Sequence, residues 1–157
     1  IREMDIKYLL KYVELFHDVI IEIRHDLSME FTLFPKGSCG STCLFLGLFL
    51  IQNGFGEFQI ITGEKYFFNG YFHQEISHSW LECNQSLIID ITAYQFHEIE
   101  SKVIVTKNSD RNRTWKVVER NNILDIYKTN FILSSDLINY EKIIEKINNK
   151  SIILETS

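Results

Sequence analysis

The sequence predicts an α+β fold in which a central apolar helix packs on a mainly antiparallel sheet. Two observations predict it. The segment from Cys43 to Gly54 is apolar nearly all round, which is typical of a helix buried in the middle of a domain. Short β-type runs follow it, separated by turn residues such as Asn69-Gly70, and helical spacing returns only near the C-terminus. The order of helices, strands and a final helix is typical of the α+β class.

The first predicted element is an amphipathic helix from Asp5 to Arg24. Its apolar residues recur at helical spacing, and Lys7 and Glu14 lie on the opposite side. The segment from Asp26 to Lys36 is predicted to be irregular, because the proline in it cannot donate a backbone hydrogen bond.

A small, flexible segment, Gly37 to Thr42, leads into the central helix. Ser38 and Thr42 are residue types that favour helix N-caps, and Gly54 is a natural stop at the other end. Cys39 therefore lies at the mouth of a helix that we expect to be buried.

The strand region is followed by one more helix, predicted from Asp136 to Asn149 with Ser134 or Ser135 as its cap. No linker or internal repeat interrupts the chain, which predicts a single domain over residues 1–157. The predicted β-type runs are Glu57–Thr62, Lys65–Phe68, Glu75–Cys83, Ser86–Thr92, Ser101–Thr106 and Arg113–Val118.

Composition excludes two classes of partner. The net charge is -5, from 16 basic and 21 acidic residues, so the basic surface typical of nucleic-acid binding is not expected. The longest apolar run, Cys43 to Ile51, is far shorter than the about 20 residues that a membrane span needs. We therefore expect neither a nucleic-acid nor a membrane partner.

The cysteine count indicates reduced thiols. Three cysteines are an odd number, whereas a disulfide framework is usually even and denser. Cys39 and Cys43 have a spacing that could suit two metal ligands, but no further ligand set is evident. We therefore expect a reducing, cytoplasmic site of action and no metal or organic cofactor.

Three residues have the chemistry of a nucleophilic site. Cys39 at a helix N-terminus would meet unpaired backbone N–H groups, which stabilise a thiolate. His78 lies within a predicted strand, and Asp90 interrupts an apolar strand, where a carboxylate needs a charged partner. A hairpin closed at Asn84-Gln85 would place His78 and Asp90 close together on one face, which predicts a nucleophile, a base and an orienting carboxylate.

Each of these residues also has an ordinary structural explanation. A cysteine in this position is often a small buried residue, a lone histidine is often a hydrogen-bonded part of the core, and an aspartate often caps a turn. The joint occurrence of Cys39, His78 and Asp90 in suitable element types favours a catalytic triad.

The motifs around these residues resemble the transglutaminase-like members of the papain-fold cysteine enzymes. Their pattern is a cysteine at the start of a central helix, a His-x-Trp-x-Glu strand and a strand reading Asp-x-Thr. This chain has Cys39, His78-Ser-Trp80-Leu-Glu82 and Asp90-Ile-Thr92, and Gly54 and Gly63 match two glycines at the family's spacing. The resemblance covers about residues 34–96. It implies a papain-like fold with Cys39, His78 and Asp90 as catalytic residues.

A different alignment would make Cys43 the nucleophile. It likens Cys39-Gly-Ser-Thr-Cys43 to the Cys-Gly-Ser-Cys-Trp of papain, but it needs one extra residue and lacks the tryptophan, so Cys39 is preferred. Papain-like proteases also use an upstream glutamine for the oxyanion, and residues 1–38 contain neither Gln nor Asn. The backbone N–H of Cys39 is therefore expected to act with a second donor that the sequence does not identify.

The resemblance implies acyl transfer at amide bonds of a protein or peptide through a Cys39 thioester. The acceptor could be water, as in a peptidase or deamidase, or an amine, as in a transglutaminase. Small domains with this triad occur among bacterial effectors and toxins, which would imply delivery from a longer secreted carrier and an immunity protein as partner. The alternatives are a leader-peptide-processing peptidase and a non-enzymatic protein-binding module that retains the fold.

Overall fold

The computed structural model describes residues 5–68, 70–84, 86–107, 109–130 and 135–156. This part of the chain forms four α-helices and one five-stranded antiparallel sheet, so the predicted α+β class is confirmed. The helices are α1 (Ile6–Ile23), α2 (Cys39–Gln52), α3 (Ile123–Asn130) and α4 (Ser135–Thr156). The strands are β1 (Gln59–Phe68), β2 (His73–Cys83), β3 (Leu87–Asp90), β4 (Ile104–Thr106) and β5 (Lys116–Asn122).

The sheet is built around the long hairpin of β1 and β2. These two strands pair from Gln59 opposite Glu82 to Phe68 opposite His73, and the strand order is β4-β3-β2-β1-β5. The pairing of β1 with β5 shifts register between Thr62 and Gly63. β2 is therefore the central strand of the sheet, flanked by β1 and β3.

Helix α2 is buried in the centre of the fold, as its apolar sequence predicts. Every residue from Thr42 to Leu50 is buried, and the helix packs on β1 and β2 with α1 and α3 as further neighbours. The helix begins at Cys39, before the apolar run, because the Ser38 carbonyl already accepts from the backbone N–H of Thr42 at 2.9 Å. Cys39 is therefore part of the first helical turn and not of the preceding loop.

The sheet buries apolar side chains on both faces. Alternate residues of β2 point to opposite sides: Leu81 and Cys83 join the main core with α2, whereas Trp80 packs with Ile61 and Trp115 in a second cluster. His78 has the same parity as Trp80 along the strand and lies against this second cluster.

Several predicted boundaries were wrong. The two β-type runs over 57–62 and 65–68 form one continuous strand, β1, because Gly63 is paired within the sheet and does not end it. Helix α3 was not predicted, and α4 extends beyond the expected Asn149. Ser135 is the first residue of α4, whereas Ser134, Asn69 and Gln85, to which the sequence assigned a cap and two turns, lie outside the described residues.

No described helix combines the length and the apolar character that crossing a membrane requires.

Replacing Gly63 should destabilise the fold. A Cβ atom at this position would lie 2.7 Å from Trp115 Cβ and 3.0 Å from Trp80 Cη2, and both tryptophans are buried. We expect Gly63→Ala to lower the free energy of unfolding by about 1–3 kcal/mol, as overpacking does elsewhere, when measured by urea denaturation. Gly40→Ala is the matched control, because a Cβ there meets nothing within 4 Å. Equal losses in the two variants would contradict this prediction.

Candidate active site

Strands β2 and β3 bring His78 and Asp90 together on one face of the sheet. Leu81 lies opposite Ile89, so continuing this register places Asp90 opposite Trp80, with His78 two residues further along. His78 Nε2 and Asp90 Oδ2 are 2.6 Å apart, and both side chains are almost completely buried, at 2% and 3% exposure. A buried carboxylate is thereby given the charge partner that the sequence argument required.

The second oxygen of Asp90 is held by Thr92. Asp90 Oδ1 accepts from the backbone N–H of Thr92 at 3.0 Å and from its hydroxyl at 3.4 Å. With both oxygens bonded, the carboxylate has a fixed orientation toward His78. The threonine of the Asp-x-Thr motif therefore has a physical role in this chain, which is to position Asp90.

Cys39 lies beside the His78 imidazole, at the start of α2. It is the first residue of this helix, and its side chain is half-buried. Because Nε2 of His78 is bonded to Asp90, the nitrogen left for the thiol is Nδ1. Burial raises the pKa of Cys39, but the hydrogen bonds from His78 and Ser79 outweigh it, so that the pKa is lower than in a free cysteine.

The surroundings of His78 favour its charged form. Burial lowers the pKa of the imidazole, but the hydrogen bonds and charges of Asp90 and Cys39 outweigh burial and raise this pKa to about 9. The structure thus brings together the three residues predicted from the sequence: Asp90 is hydrogen-bonded to His78, and the thiol of Cys39 lies beside the imidazole.

The thiols of Cys43 and Cys83 have the opposite character. Cys43, one turn deeper in α2, is 5% exposed, and burial together with the charges of Asp90 and Cys39 raises its pKa well above the ordinary value. Burial and the charge of Glu57 likewise raise the pKa of Cys83. Of these three cysteines, Cys39 is the one whose environment favours a thiolate.

Aromatic rings enclose the His78 imidazole. The distance between ring centroids is 5.2 Å for Phe96, which is in a T-shaped arrangement with the imidazole, 5.6 Å for Trp115 and 6.1 Å for Trp80. Trp80 therefore both covers the histidine and fills the second apolar cluster. These rings exclude water from the His78–Asp90 hydrogen bond and so strengthen it.

Two polar residues of this site were missed by the sequence reasoning. Ser79 Oγ lies 2.9 Å from Thr62 Oγ1, and hydrogen bonding from Ser79 lowers the pKa of Cys39. Gln95 Nε2 lies 3.3 Å from His78 Nδ1. Strand alternation places Ser79 on the face opposite His78, so no local pattern indicates that both residues influence one cysteine. Gln95 follows β3 in an irregular turn and carries no sequence signal for the site.

His73 and His97, which flank the motif residues in the sequence, are exposed. Within the described ranges, no group of three or more His, Cys, Asp or Glu side chains is placed to hold a metal ion. Comparison of the chain with protein-family models, with curated proteins and with solved structures found no match. The site is thus defined by its own geometry.

Stability should fall as the pH rises through the titration of His78. The folded protein binds this proton more tightly than the unfolded chain, because the pKa rises from 6.5 to about 9 on folding. The contribution is complete below pH 6.5 and is lost between there and pH 9, with a maximum of about 3 kcal/mol. The lowered pKa of Cys39 acts in the opposite direction, so we expect the net loss to be smaller than this maximum.

Urea unfolding at a series of pH values tests this dependence. His78→Gln is the comparison, because it removes the titrating group and should flatten the profile between pH 6.5 and 9. A wild-type free energy of unfolding that is constant or rises over this range would contradict the prediction.

Proposed function

We propose that this chain is a cysteine-dependent acyl-transfer enzyme with a transglutaminase-like, papain-like fold. The observation that carries the proposal is the buried His78–Asp90 pair, 2.6 Å apart, beside the half-buried Cys39, whose thiol pKa is lowered there. Nucleophile, base and orienting carboxylate are the groups that covalent catalysis at a carbonyl requires. The placement of these groups on a central helix and two adjacent antiparallel strands is the arrangement that the family resemblance implies.

The proposed reaction begins with transfer of the Cys39 proton to His78 Nδ1. The thiolate attacks the carbonyl carbon of an amide bond, and the resulting tetrahedral intermediate carries the charge on its oxygen. When this intermediate collapses, the carbon–nitrogen bond breaks and His78 gives its proton to the leaving amine. The products of this half-reaction are the free amine and a thioester on Cys39.

The second half-reaction resolves the thioester. His78 takes a proton from water or from a primary amine, which attacks the acyl carbon while the carbon–sulfur bond breaks. The proton then returns to the Cys39 sulfur, and the site is restored. Asp90 keeps the imidazole oriented in both halves and stabilises the imidazolium while it exists.

The start of α2 supplies the electrostatic support for the developing oxyanion. The first N–H groups of a helix have no acceptor within the helix, and the helix dipole places partial positive charge there. Cys39 is the first residue of α2, so its own N–H is the donor closest in sequence to the reacting sulfur. This arrangement favours the tetrahedral intermediate over the planar amide.

A peptide thioester and a glutamine-containing peptide, followed by intact-mass measurement, test the proposed function. We expect a hydroxylamine-sensitive acyl adduct on the wild-type protein and none on Cys39→Ala. Adding a primary amine distinguishes the two acceptors, since an amide product indicates transamidation and a free acid indicates hydrolysis. Absence of any adduct, combined with slow alkylation of Cys39, would contradict the proposal and favour a binding module.

A further inference from the structure

The side-chain amide of Gln95 is fixed against the imidazole of His78. Gln95 Nε2 lies 3.1 Å from the carbonyl oxygen of Thr92 and 3.3 Å from His78 Nδ1. A carbonyl oxygen can only accept, so the atom next to Thr92 is the amide nitrogen of Gln95 and not its oxygen. This nitrogen carries two hydrogens, and the second is available to His78 Nδ1.

His78 Nδ1 can accept from Gln95 only while the ring is neutral. With Nε2–H donating to Asp90, the neutral ring has one lone pair on Nδ1, and the N–H of Gln95 competes for it with the S–H of Cys39. Once Nδ1 has taken the Cys39 proton, the N–H of Gln95 faces another N–H. The Gln95 contact therefore stabilises the pair of neutral Cys39 thiol and neutral His78 imidazole. It is lost in the ionised pair, the Cys39 thiolate and the His78 imidazolium.

We propose that Gln95 is a positioning residue that restrains proton transfer from Cys39 to His78. Its hydrogen bond to Nδ1 favours the neutral thiol and the neutral imidazole, and this hydrogen bond must break before Nδ1 can take the proton. In this step the S–H bond of Cys39 breaks, the proton bonds to Nδ1, and the Gln95–Nδ1 hydrogen bond is given up. The inference rests on the proposed function, since the restrained pair is the one to which acyl transfer is assigned.

Gln95 opposes the other groups around the pair. Asp90 on β3 favours the imidazolium, and Ser79 on β2 favours the thiolate. The buried Cys43 on α2 is a further titratable group nearby. Restraining the ionisation of Cys39 has a chemical advantage. A thiolate becomes a weaker nucleophile as the pKa of its thiol falls, and a thiolate is more readily oxidised than a protonated thiol.

The turn that contains Gln95 is also hydrogen-bonded to helix α1. The preceding residue, Tyr94, has its hydroxyl 2.8 Å from Nε2 of His17, a buried histidine of α1. The Gln95 backbone N–H also donates to the Thr92 carbonyl at 3.1 Å. The amide is thus supported by two independent contacts, which is what a fixed donor requires.

The first test is the pH dependence of Cys39 alkylation by iodoacetamide in Gln95→Leu. Removing the donor should favour the ionised pair, so alkylation below the wild-type midpoint should become about three- to tenfold faster, as expected for one hydrogen bond. Gln74→Leu, at an exposed position of β2, is the matched control and should follow the wild-type profile. Unchanged or slower alkylation in Gln95→Leu would overturn the proposal.

The second test uses the wild-type protein and needs no variant that might fail to fold. In ¹H–¹⁵N spectra, the side-chain amide of Gln95 should shift with the same midpoint as Cys39 alkylation, whereas that of Gln74 should not. A Gln95 amide that stays constant through this midpoint would overturn the restraint. Neither test depends on turnover. If the Gln95 amide shifts with pH as expected but no acyl transfer is detected, the proposed function is overturned and the role of Gln95 in the proton transfer is not.

Discussion

Cys39→Ala is expected to abolish acyl transfer and leave the protein folded. The variant removes the nucleophile, so turnover should fall by at least about 10⁴-fold, to the level left by binding and the oxyanion donors. Cys39 is half-buried at the first turn of α2 and not in the main core, so we expect the free energy of unfolding to change by less than about 1 kcal/mol. Turnover of a peptide thioester and urea unfolding are measured on the same preparation.

Cys43→Ala is the matched control for this variant. Cys43 is a core residue at 5% exposure, so the loss of its sulfur should cost about 1 kcal/mol of stability while most of the activity remains. The opposite result, an inactive Cys43→Ala and an active Cys39→Ala, would show that the second alignment of the cysteine motif is the right one.

Asp90→Asn is expected to reduce turnover far more than stability. Asparagine keeps the shape and one acceptor oxygen, but it removes the charge that orients His78 and stabilises its imidazolium. The comparable change in a serine-protease triad costs about 10⁴-fold in turnover, and we expect a loss of several orders of magnitude here. The pKa of Cys39 should also rise, because the imidazolium that stabilises the thiolate is weakened.

A structural role for Asp90 predicts a different outcome. If the carboxylate only ties β2 to β3, Asp90→Asn should lower the melting temperature while the folded fraction turns over normally. Alkylation of Cys39 as a function of pH, measured together with thermal unfolding, separates these outcomes. Asp110→Asn is the matched control, since Asp110 is 95% exposed and its replacement should change neither quantity. An unchanged alkylation profile with a large melting shift would end the orienting role.

The sequence by itself determined the fold class and the order of the reactive residues. Helix α2 is apolar on all sides, and such a helix has no stable position except the centre of a domain. His78 and Asp90 lie on two successive strands joined by a short turn, and the alternation of side chains then restricts them to one face. Local periodicity and turn spacing carry this information, which is why it can be predicted without coordinates.

Local patterns were insufficient where a long-range contact decides the structure. The glycine at position 63 looks like a break between two strands, yet the chain continues as β1 because Trp80 and Trp115 pack against that position. Helix α3 is only eight residues long, and its Ile123 is completely buried against Gly47 of α2. Tertiary packing overrides weak local preference in both cases.

Only the tertiary structure determined which atoms of the site interact with each other. The register of β2 and β3 brings His78 and Asp90 together, and the orientation of the imidazole joins Nε2 to Asp90. This orientation leaves Nδ1 for Cys39 and Gln95. Ser79 and its neighbour His78 both lower the pKa of Cys39, because α2 packs on β2. These hydrogen bonds join residues far apart in the chain and depend on distances of a few tenths of an ångström, which residue spacing alone does not encode.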